Sequence, residues 1–414
     1  MTLRIALMLT VLLLTLSCAH AATGPWKLDH IITTFWCPPP ATDEALAAVA
    51  AQHYTLTWTP ADGLDVAARR GLRAMLQDPL LNPATLDDPA QTAKLDALIA
   101  RVKSHRALYA YFLTDEPSAA AFPGWGRLVA YLRERDPTHL AYINLFPTYA
   151  NNQQLGTTGD TVTAYQEHLR QFIAVVKPAL ISYDHYHFFK NDKDGDQYFL
   201  NLGMIRRAAF DAGLPFLNII QASTIEKSWR LPNPDELRWL VYTTLAYGGR
   251  GISYFLYWGP QSYGGLYQDG TRMPLALAAA KLNGEISALS PILMTLDSLG
   301  VYHTAPAPKG AVAIPADAPV QVVSKGEFVL GLFGKGGKVY PPSAGRQRRL
   351  KVTAFMLVNG SHRQAATARL RLPPGKRAEG FDKVRRGWRG YTATSGTITV
   401  RLKPGDGRLV RLVR

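Results

Sequence analysis

Cysteine is nearly missing from this sequence, with Cys18 and Cys37 the only two among 414 residues. Cys18 falls in a stretch that reads as a removable leader, so no intramolecular disulfide and no cysteine-based metal site is expected. Charge is sparse as well: Asp, Glu, Lys and Arg make up 19% of the chain against 47% hydrophobic residues, which excludes a disordered protein. No glycine-rich phosphate loop follows the first strand-like segment, which argues against a nucleotide-binding doubly wound sheet. Internal repeats and low-complexity runs are absent, and no apolar run is long enough to span a membrane.

Met1 to Ala21 holds Arg4, an apolar run from Ile5 to Leu16 and the triplet Ala19-His20-Ala21. This predicts a signal peptide over residues 1–21 and hence a secreted or periplasmic protein. Leu16-Ser17-Cys18 is an imperfect lipoprotein box, so a lipid anchor at Cys18 is the second choice. Positive charge is what the chain has in excess, +15 in all, and it is unevenly placed. After residue 300 lie 22 of the 46 basic residues and only 5 of the 31 acidic ones. A near-neutral body thus carries a basic tail, with clusters at Arg346, Arg348, Arg349 and Lys351 and at Lys383, Arg385, Arg386 and Arg389. The plain reading is a solubilising face; the functional one is adhesion to anionic polysaccharide or to an envelope surface. Nucleic acid is disfavoured for an exported protein.

The centre of the pattern is Ala107 to Pro117, A-L-Y-A-Y-F-L-T-D-E-P. Its unbroken apolar start reads as a strand buried on both faces, and it ends in adjacent carboxylates before a proline that bars further pairing. Taken alone, that ending also fits a helix entry with a solvated Glu. Around it, strand-like and helix-like segments alternate. The strands are expected at Ile31–Trp36, Tyr54–Trp58, Arg73–Gln77, Ala107–Pro117, His139–Leu145, Leu180–Tyr186, Pro215–Gln221 and Gly251–Trp258. Eight such units in about 260 residues predict an α/β fold, a (β/α)8 TIM barrel over residues 22–299. From 300 to 414 short alternating runs between Gly, Pro and Lys turns predict an antiparallel β-sandwich. Its strands are expected at Gly310–Ile314, Val320–Ser324, Phe328–Phe333, Lys351–Leu357, Thr367–Leu372, Thr397–Leu402 and Leu409–Val413.

A barrel of this kind carries its site at the C-terminal strand ends. Those tips hold Trp36, Trp58, Gln77 with Asp78, Asp115 with Glu116, Asn144, Asp184-His185-Tyr186-His187, Gln221, and Tyr257-Trp258. Aromatics, amides and carboxylates with few cations suit a sugar: flat rings pack on pyranose C–H faces, and amides or carboxylates bind hydroxyls. Each aromatic taken singly is ordinary packing. His185 and His187 have metal-ligand chemistry, but no third ligand is placed beside them. Asn191-Asp192-Lys193-Asp194-Gly195-Asp196 starts like a calcium loop without the downstream Glu, and a solvated turn is preferred. Neither a metal nor a cofactor is expected. Asn359-Gly360-Ser361 is a glycosylation sequon.

The T-D-E-P ending resembles the Asn-Glu-Pro strand ending of clan A glycoside hydrolases. Trp258 resembles that clan's sugar-platform tryptophan. The run from Phe35-Trp36 through Ile252 to Trp258 resembles secreted bacterial proteins of the TIM-barrel glycoside hydrolase superfamily that carry a C-terminal β domain. The resemblance implies an O-glycosyl hydrolase acting on a poly- or oligosaccharide, with Glu116 as the general acid. Two departures stand out: Asp115 replaces the clan's Asn, and Gln221 stands where the nucleophilic Glu would end strand seven. Glu226 lies five residues further on.

Asp184 is the expected second carboxylate, a base facing Glu116 across the mouth at the ~6.5–9.5 Å of an inverting pair. A carboxylate orienting His185 or His187 is the plain alternative. The Asp115-Glu116 pair also resembles hexosaminidases and chitinase-like enzymes, in which a substrate acetamido group attacks and the Asp orients it. A sugar-binding barrel without catalysis is the reading from another class.

Overall fold

The computed structural model describes residues 24–225, 228–335 and 351–414. The expected signal peptide, Cys18, Glu226, and Arg346, Arg348 and Arg349 lie outside them.

Eight strands form one parallel sheet: β1 (Ile32–Phe35), β2 (Leu56–Thr59), β3 (Arg73–Leu76), β4 (Leu108–Asp115), β5 (Leu140–Leu145), β6 (Ile181–His185), β7 (Phe216–Gln221) and β8 (Gly251–Phe255). Their order is β1-β8-β7-β6-β5-β4-β3-β2, and the edges meet at a seam stitched by two threonines. Thr55 N donates to Thr33 O at 3.0 Å, and Thr33 N donates to Thr55 Oγ1 at 3.0 Å. β-Branched residues suit a pleated ladder, and here their hydroxyls also supply its missing partners. The fold is the expected (β/α)8 barrel.

The outer helices are α1 (Asp43–Ala51), α2 (Leu64–Arg69), α3 (Pro89–Val102), α4 (Phe122–Arg135), the short α5 (Asn152–Leu155), α6 (Thr161–Gln171), α7 (Tyr198–Ala212), α8 (Pro234–Ala246) and α9 (Pro274–Leu293). Asn233 caps α8, accepting from Glu236 N while Glu236 reaches back to the cap, with Pro234 at the first position. Inside the barrel Ile32, Leu56, Trp58, Met75, Ala110, Tyr142, Leu217 and Ile219 fill one cluster, floored by Trp26 and Leu28. The wider core lies between the sheet and the helices.

After β8, three two-residue strands form a small sheet: β9 (Trp258–Gly259), β10 (Tyr267–Gln268) and β11 (Thr271–Arg272). The C-terminal part is a β-sandwich. One sheet has six strands, β12 (Asp297–His303), β14 (Phe328–Gly334), β15 (Val352–Asn359), β20 (Gly407–Val413), β17 (Arg377–Asp382) and β18 (Gly387–Gly390), in that order. The other has three, β13 (Gln321–Val322), β16 (Ala366–Arg371) and β19 (Thr397–Leu402). Five expected strands match β14, β15, β16, β19 and β20, and β13 covers part of a sixth. Gly310–Ile314 forms only an isolated bridge, Ala313 to His303. β12, β17 and β18 were not anticipated, because charged and glycine residues interrupt their alternation.

The larger sheet lies on α8 without intervening space. A Cβ at Gly331 would sit 2.3 Å from Ala246 O, and one at Gly407 would sit 2.2 Å from Tyr242 Cδ1, so only glycine allows this approach. Asn359 of the sequon is buried, with Nδ2 donating to Gln364 O and Lys403 O. It is a structural amide rather than a glycan acceptor. The calcium-like turn is neutralised within the protein: Asp194 pairs with His362 and Arg363, and Asp196 with Lys309.

Candidate active site at the barrel mouth

β4 delivers the site. A bulge between Phe112 and Thr114, opposite β5, shifts its register just before the acids. Asp115 then pairs with Asn144, and Glu116 N donates to Asn144 O at 2.9 Å. Glu116 turns off the strand with φ +46°, in the left-handed region that a non-glycine residue seldom occupies. Pro117 follows, so the chain cannot run on as sheet.

Four side chains converge here. Asn144 Nδ2 donates to Asp115 Oδ1 at 3.0 Å and to Asp184 Oδ1 at 3.0 Å. Asp184 is also hydrogen-bonded to Glu116. Asp184 is buried, Glu116 half-buried and Asp115 exposed. Burial first, then the charges of Asp184 and Asp115, hold the Glu116 carboxyl well above the ordinary carboxylate range. Burial and the Asp115 charge raise Asp184 as well, opposed by its hydrogen bonds from Asn144 and Glu116. Burial also raises Asp115, while Asn144 pulls it back. Two carboxyl groups in hydrogen-bond contact favour a shared proton over two charges.

The rim is aromatic. Trp36 is half-buried, its ring centroid 4.9 Å from Trp58 and 5.7 Å from Phe112. Trp58 lies beneath it, buried, with Nε1 donating to Thr34 Oγ1 at 3.2 Å; it is core rather than contact surface. Tyr186 is half-buried, 5.3 Å from Phe255 and 6.1 Å from Trp229. Trp258 is half-buried on β9, its ring nearly parallel to Tyr267 at 5.9 Å. Gln77 is half-buried at the end of β3, its backbone N–H donating to Thr59 O.

Four expected contacts are turned away from a substrate. Gln221 is fully buried and all its capacity is used: Oε1 accepts from His187 N and Phe188 N, and Nε2 donates to Phe188 O and Arg230 O. It clamps two loops together. His185 points at α7, with Nδ1 2.9 Å from Asn201 Oδ1, and burial lowers its pKa to about 4. His187 stacks on Trp239 at 5.0 Å and burial lowers it to about 3. Tyr257 packs on Phe35 at 4.3 Å and accepts from Gln52 Nε2.

Three residues outside the expected set belong to the mouth. Tyr149, 37% exposed, feels the charges of Asp184 and Glu116, and its hydroxyl accepts from Tyr186 N. Trp229 lies 6.0 Å from Tyr149 and stacks on Phe189. Cys37, exposed with φ +56°, lies close enough to Asp115 for its charge to raise the thiol, after burial. Tyr149 stands five residues past Asn144, on the loop after β5, so an aromatic search extended beyond the strand tips would have found it.

The protein is thus a (β/α)8 barrel with a C-terminal β domain and an acidic, aromatic-rimmed mouth. No family model matches the chain, and no curated protein matches it. Similar solved structures include a GH42 β-galactosidase from G. stearothermophilus (a catalytic mutant), at 12% identity and TM-score 0.46, covering 64% of this chain and 57% of that one. A glycoside hydrolase family 30 subfamily 8 xylanase from Clostridium acetobutylicum aligns at 10% identity and TM-score 0.43, over 94% and 97% of the two chains. A β-galactosidase from the psychrophilic Marinomonas ef1 aligns at 13% and 0.43, over 65% and 62%. At these scores no function passes from them to this chain, and its chemistry is read from its own mouth.

Proposed function

We propose that the protein hydrolyses O-glycosidic bonds of a poly- or oligosaccharide, with Glu116 as the general acid. The observation that carries this is the contact of Glu116 with Asp184 at an aromatic-rimmed mouth, where burial and neighbouring acids hold Glu116 above the ordinary carboxylate range. A general acid must keep its proton at working pH, and burial beside other acids is how a protein arranges that. Glu116 gives its proton to the leaving glycosidic oxygen, which takes the electron pair of the breaking C–O bond. Water supplies hydroxyl to the anomeric carbon, and its own proton passes to a carboxylate. Asp184, buried and bonded to Glu116, serves as the partner in the shared proton. Asp115, exposed beside Glu116, favours a second reading in which it orients an acetamido group of the substrate that attacks in place of an enzyme nucleophile.

Wild type and Glu116→Gln are compared on a glycan panel. The variant should lose ~10²–10⁴-fold in rate with affinity little changed, since the amide keeps the shape. Cleavage confined to 2-acetamido sugars and abolished in Asp115→Asn selects the second reading. Binding without cleavage by wild type selects a sugar-binding barrel instead. The same variant tests the shared proton through stability. A carboxyl whose folded pKa is raised contributes stability that is whole below the ordinary carboxylate range and lost as pH rises through the raised value. Wild type should therefore lose stability more steeply than Glu116→Gln as pH rises from about 4.5 to about 9. Parallel melting curves against pH would count against a buried, protonated pair.

For the basic domain we infer weak adhesion to anionic polysaccharide or envelope surfaces through the exposed Arg385, Arg386 and Arg389. The full chain should bind an anionic resin at low salt and leave it as salt rises, since exposed charges are screened beyond ~10 Å at 0.1 M. Retention that ignores salt would remove the idea.

A further inference from the structure

Asn144 is bonded so that its amide cannot turn over. Both hydrogens of Nδ2 are used, one on Asp115 Oδ1 and one on Asp184 Oδ1, each at 3.0 Å. Its Oδ1 accepts from Ser182 Oγ at 3.1 Å, and Ser182 Oγ lies 2.8 Å from Tyr142 OH. A hydroxyl has one hydrogen; because that of Ser182 goes to Asn144, Tyr142 must donate to Ser182. Donation thus runs one way, from Tyr142 through Ser182 and Asn144 to two carboxylates. All three relay residues are at most 2% exposed, so water cannot substitute for a lost link. Rotating the amide would set its oxygen against two carboxylate oxygens and its NH₂ against a donor.

Asp184 is hydrogen-bonded to Glu116, and Asn144 donates to Asp184 but makes no bond to the Glu116 side chain. Donation to one partner of a carboxyl pair stabilises the charge on that partner. We propose that Asn144, locked by Ser182 and Tyr142, is a positioning residue that holds Asp115 and Asp184 as acceptors and so seats the shared proton on Glu116. This rests on the reading of Glu116 as the acid only for its use in catalysis; where the proton sits is a separate fact. The other titratable groups facing the pair are Asp115 from β4, Tyr142 from β5, and Tyr149, Tyr165 and Tyr186, with Cys37 beside Asp115. None of them is cationic; the deeper burial of Asp184 favours the proton there, and the hydrogen bond from Asn144 is what opposes it.

The test reads the carbonyl stretch of protonated carboxyl groups by infrared difference spectroscopy against pH, in the full chain. In wild type the band raised above the ordinary carboxylate range should vanish in Glu116→Gln and survive Asp184→Asn. Ser182→Ala removes the lock. The carboxyl band of Asp184 should titrate about one pH unit higher, the size of one lost hydrogen bond to a charged group. That of Glu116 should move less, because Asp184 is charged on both sides of its titration. Part of the raised band should now be lost in the Ser182→Ala, Asp184→Asn double variant. Tyr142→Phe, which keeps the ring, should shift the Asp184 band the same way, and Ser182→Thr, which keeps the donor, should restore the wild-type titration. An Asp184 band that titrates in Ser182→Ala as in wild type overturns the proposal, and so does a raised wild-type band that belongs to Asp184. If the band behaves as expected while wild type cleaves no glycan, the proton placement stands and the hydrolase reading falls.

Discussion

At the scale of single residues, position in a tip did not decide role; the partners already present did. Gln221 occupies the place where a clan A enzyme holds its nucleophile, yet each of its polar atoms is spent on backbone of the loops after β6 and β7. Gln221→Glu is the substitution that would superficially complete a retaining pair. It should instead destabilise the fold by at least about 1–3 kcal/mol, because a buried carboxylate would face the carbonyls of Phe188 and Arg230 without a hydrogen to give. Denaturant unfolding measures the loss, and activity gained with stability kept would contradict this reading of the site. Strand parity makes a similar point for His185. Ser182 and Asp184 alternate onto the inner face of β6, which puts His185 on the helix side, where it meets Asn201.

At the scale of elements, the barrel is closed by unlike means around its circumference. Seven strand pairs share parallel ladders, whereas β1 and β2 are joined through Thr33 and Thr55. Thr33 Oγ1 also donates to His53 O, so the seam anchors the turn that enters β2. Thr55→Val keeps the shape and the β preference but leaves Thr33 N without its acceptor. It should cost about 1–3 kcal/mol in unfolding free energy, the cost of an unsatisfied buried donor. A change within a few tenths would mean that water supplies the missing bond. This seam lies on β1 and β2, which also carry Trp36 and Trp58, so its loosening should show as a change in tryptophan fluorescence.

At the scale of the whole molecule, charge and burial divide the basic tail into two populations. Lys383, counted with the arginines of its cluster, is withdrawn from the surface; its Nζ reaches Glu285 and Asp406 at 2.9 Å and Tyr242 OH at 2.6 Å. It ties α8 and α9 to the sandwich. Lys383→Ala would leave two carboxylates and a phenol facing one another, and breaking a buried pair of this kind costs about 3–5 kcal/mol. A single, lower unfolding transition is expected, because the barrel and sandwich share one core through α8. Two separate transitions in wild type would show instead that the halves melt independently.

Much of this was written in the linear sequence, because it depends on local pattern. Apolar runs alternating with helical spacing dictated eight strand–helix units, and T-D-E-P marked the acidic strand end. The composition of the tips also named Glu116, Asp115, Asn144, Asp184, Trp36 and Tyr186, which the fold brings to one mouth. What only the tertiary structure decided were distances across the barrel and the use of each polar group. Asp184 is hydrogen-bonded to Glu116, a partner two strands away in the sheet. Gln221, His185, His187 and Tyr257 are bonded or packed into loops and core, and Lys383 is buried in an interface. Periodicity tells which face a side chain leaves from, but partners far apart in the chain determine what it meets. The proton of Glu116 is likewise set by groups on β5 and β6, which are neighbours only once the barrel has closed.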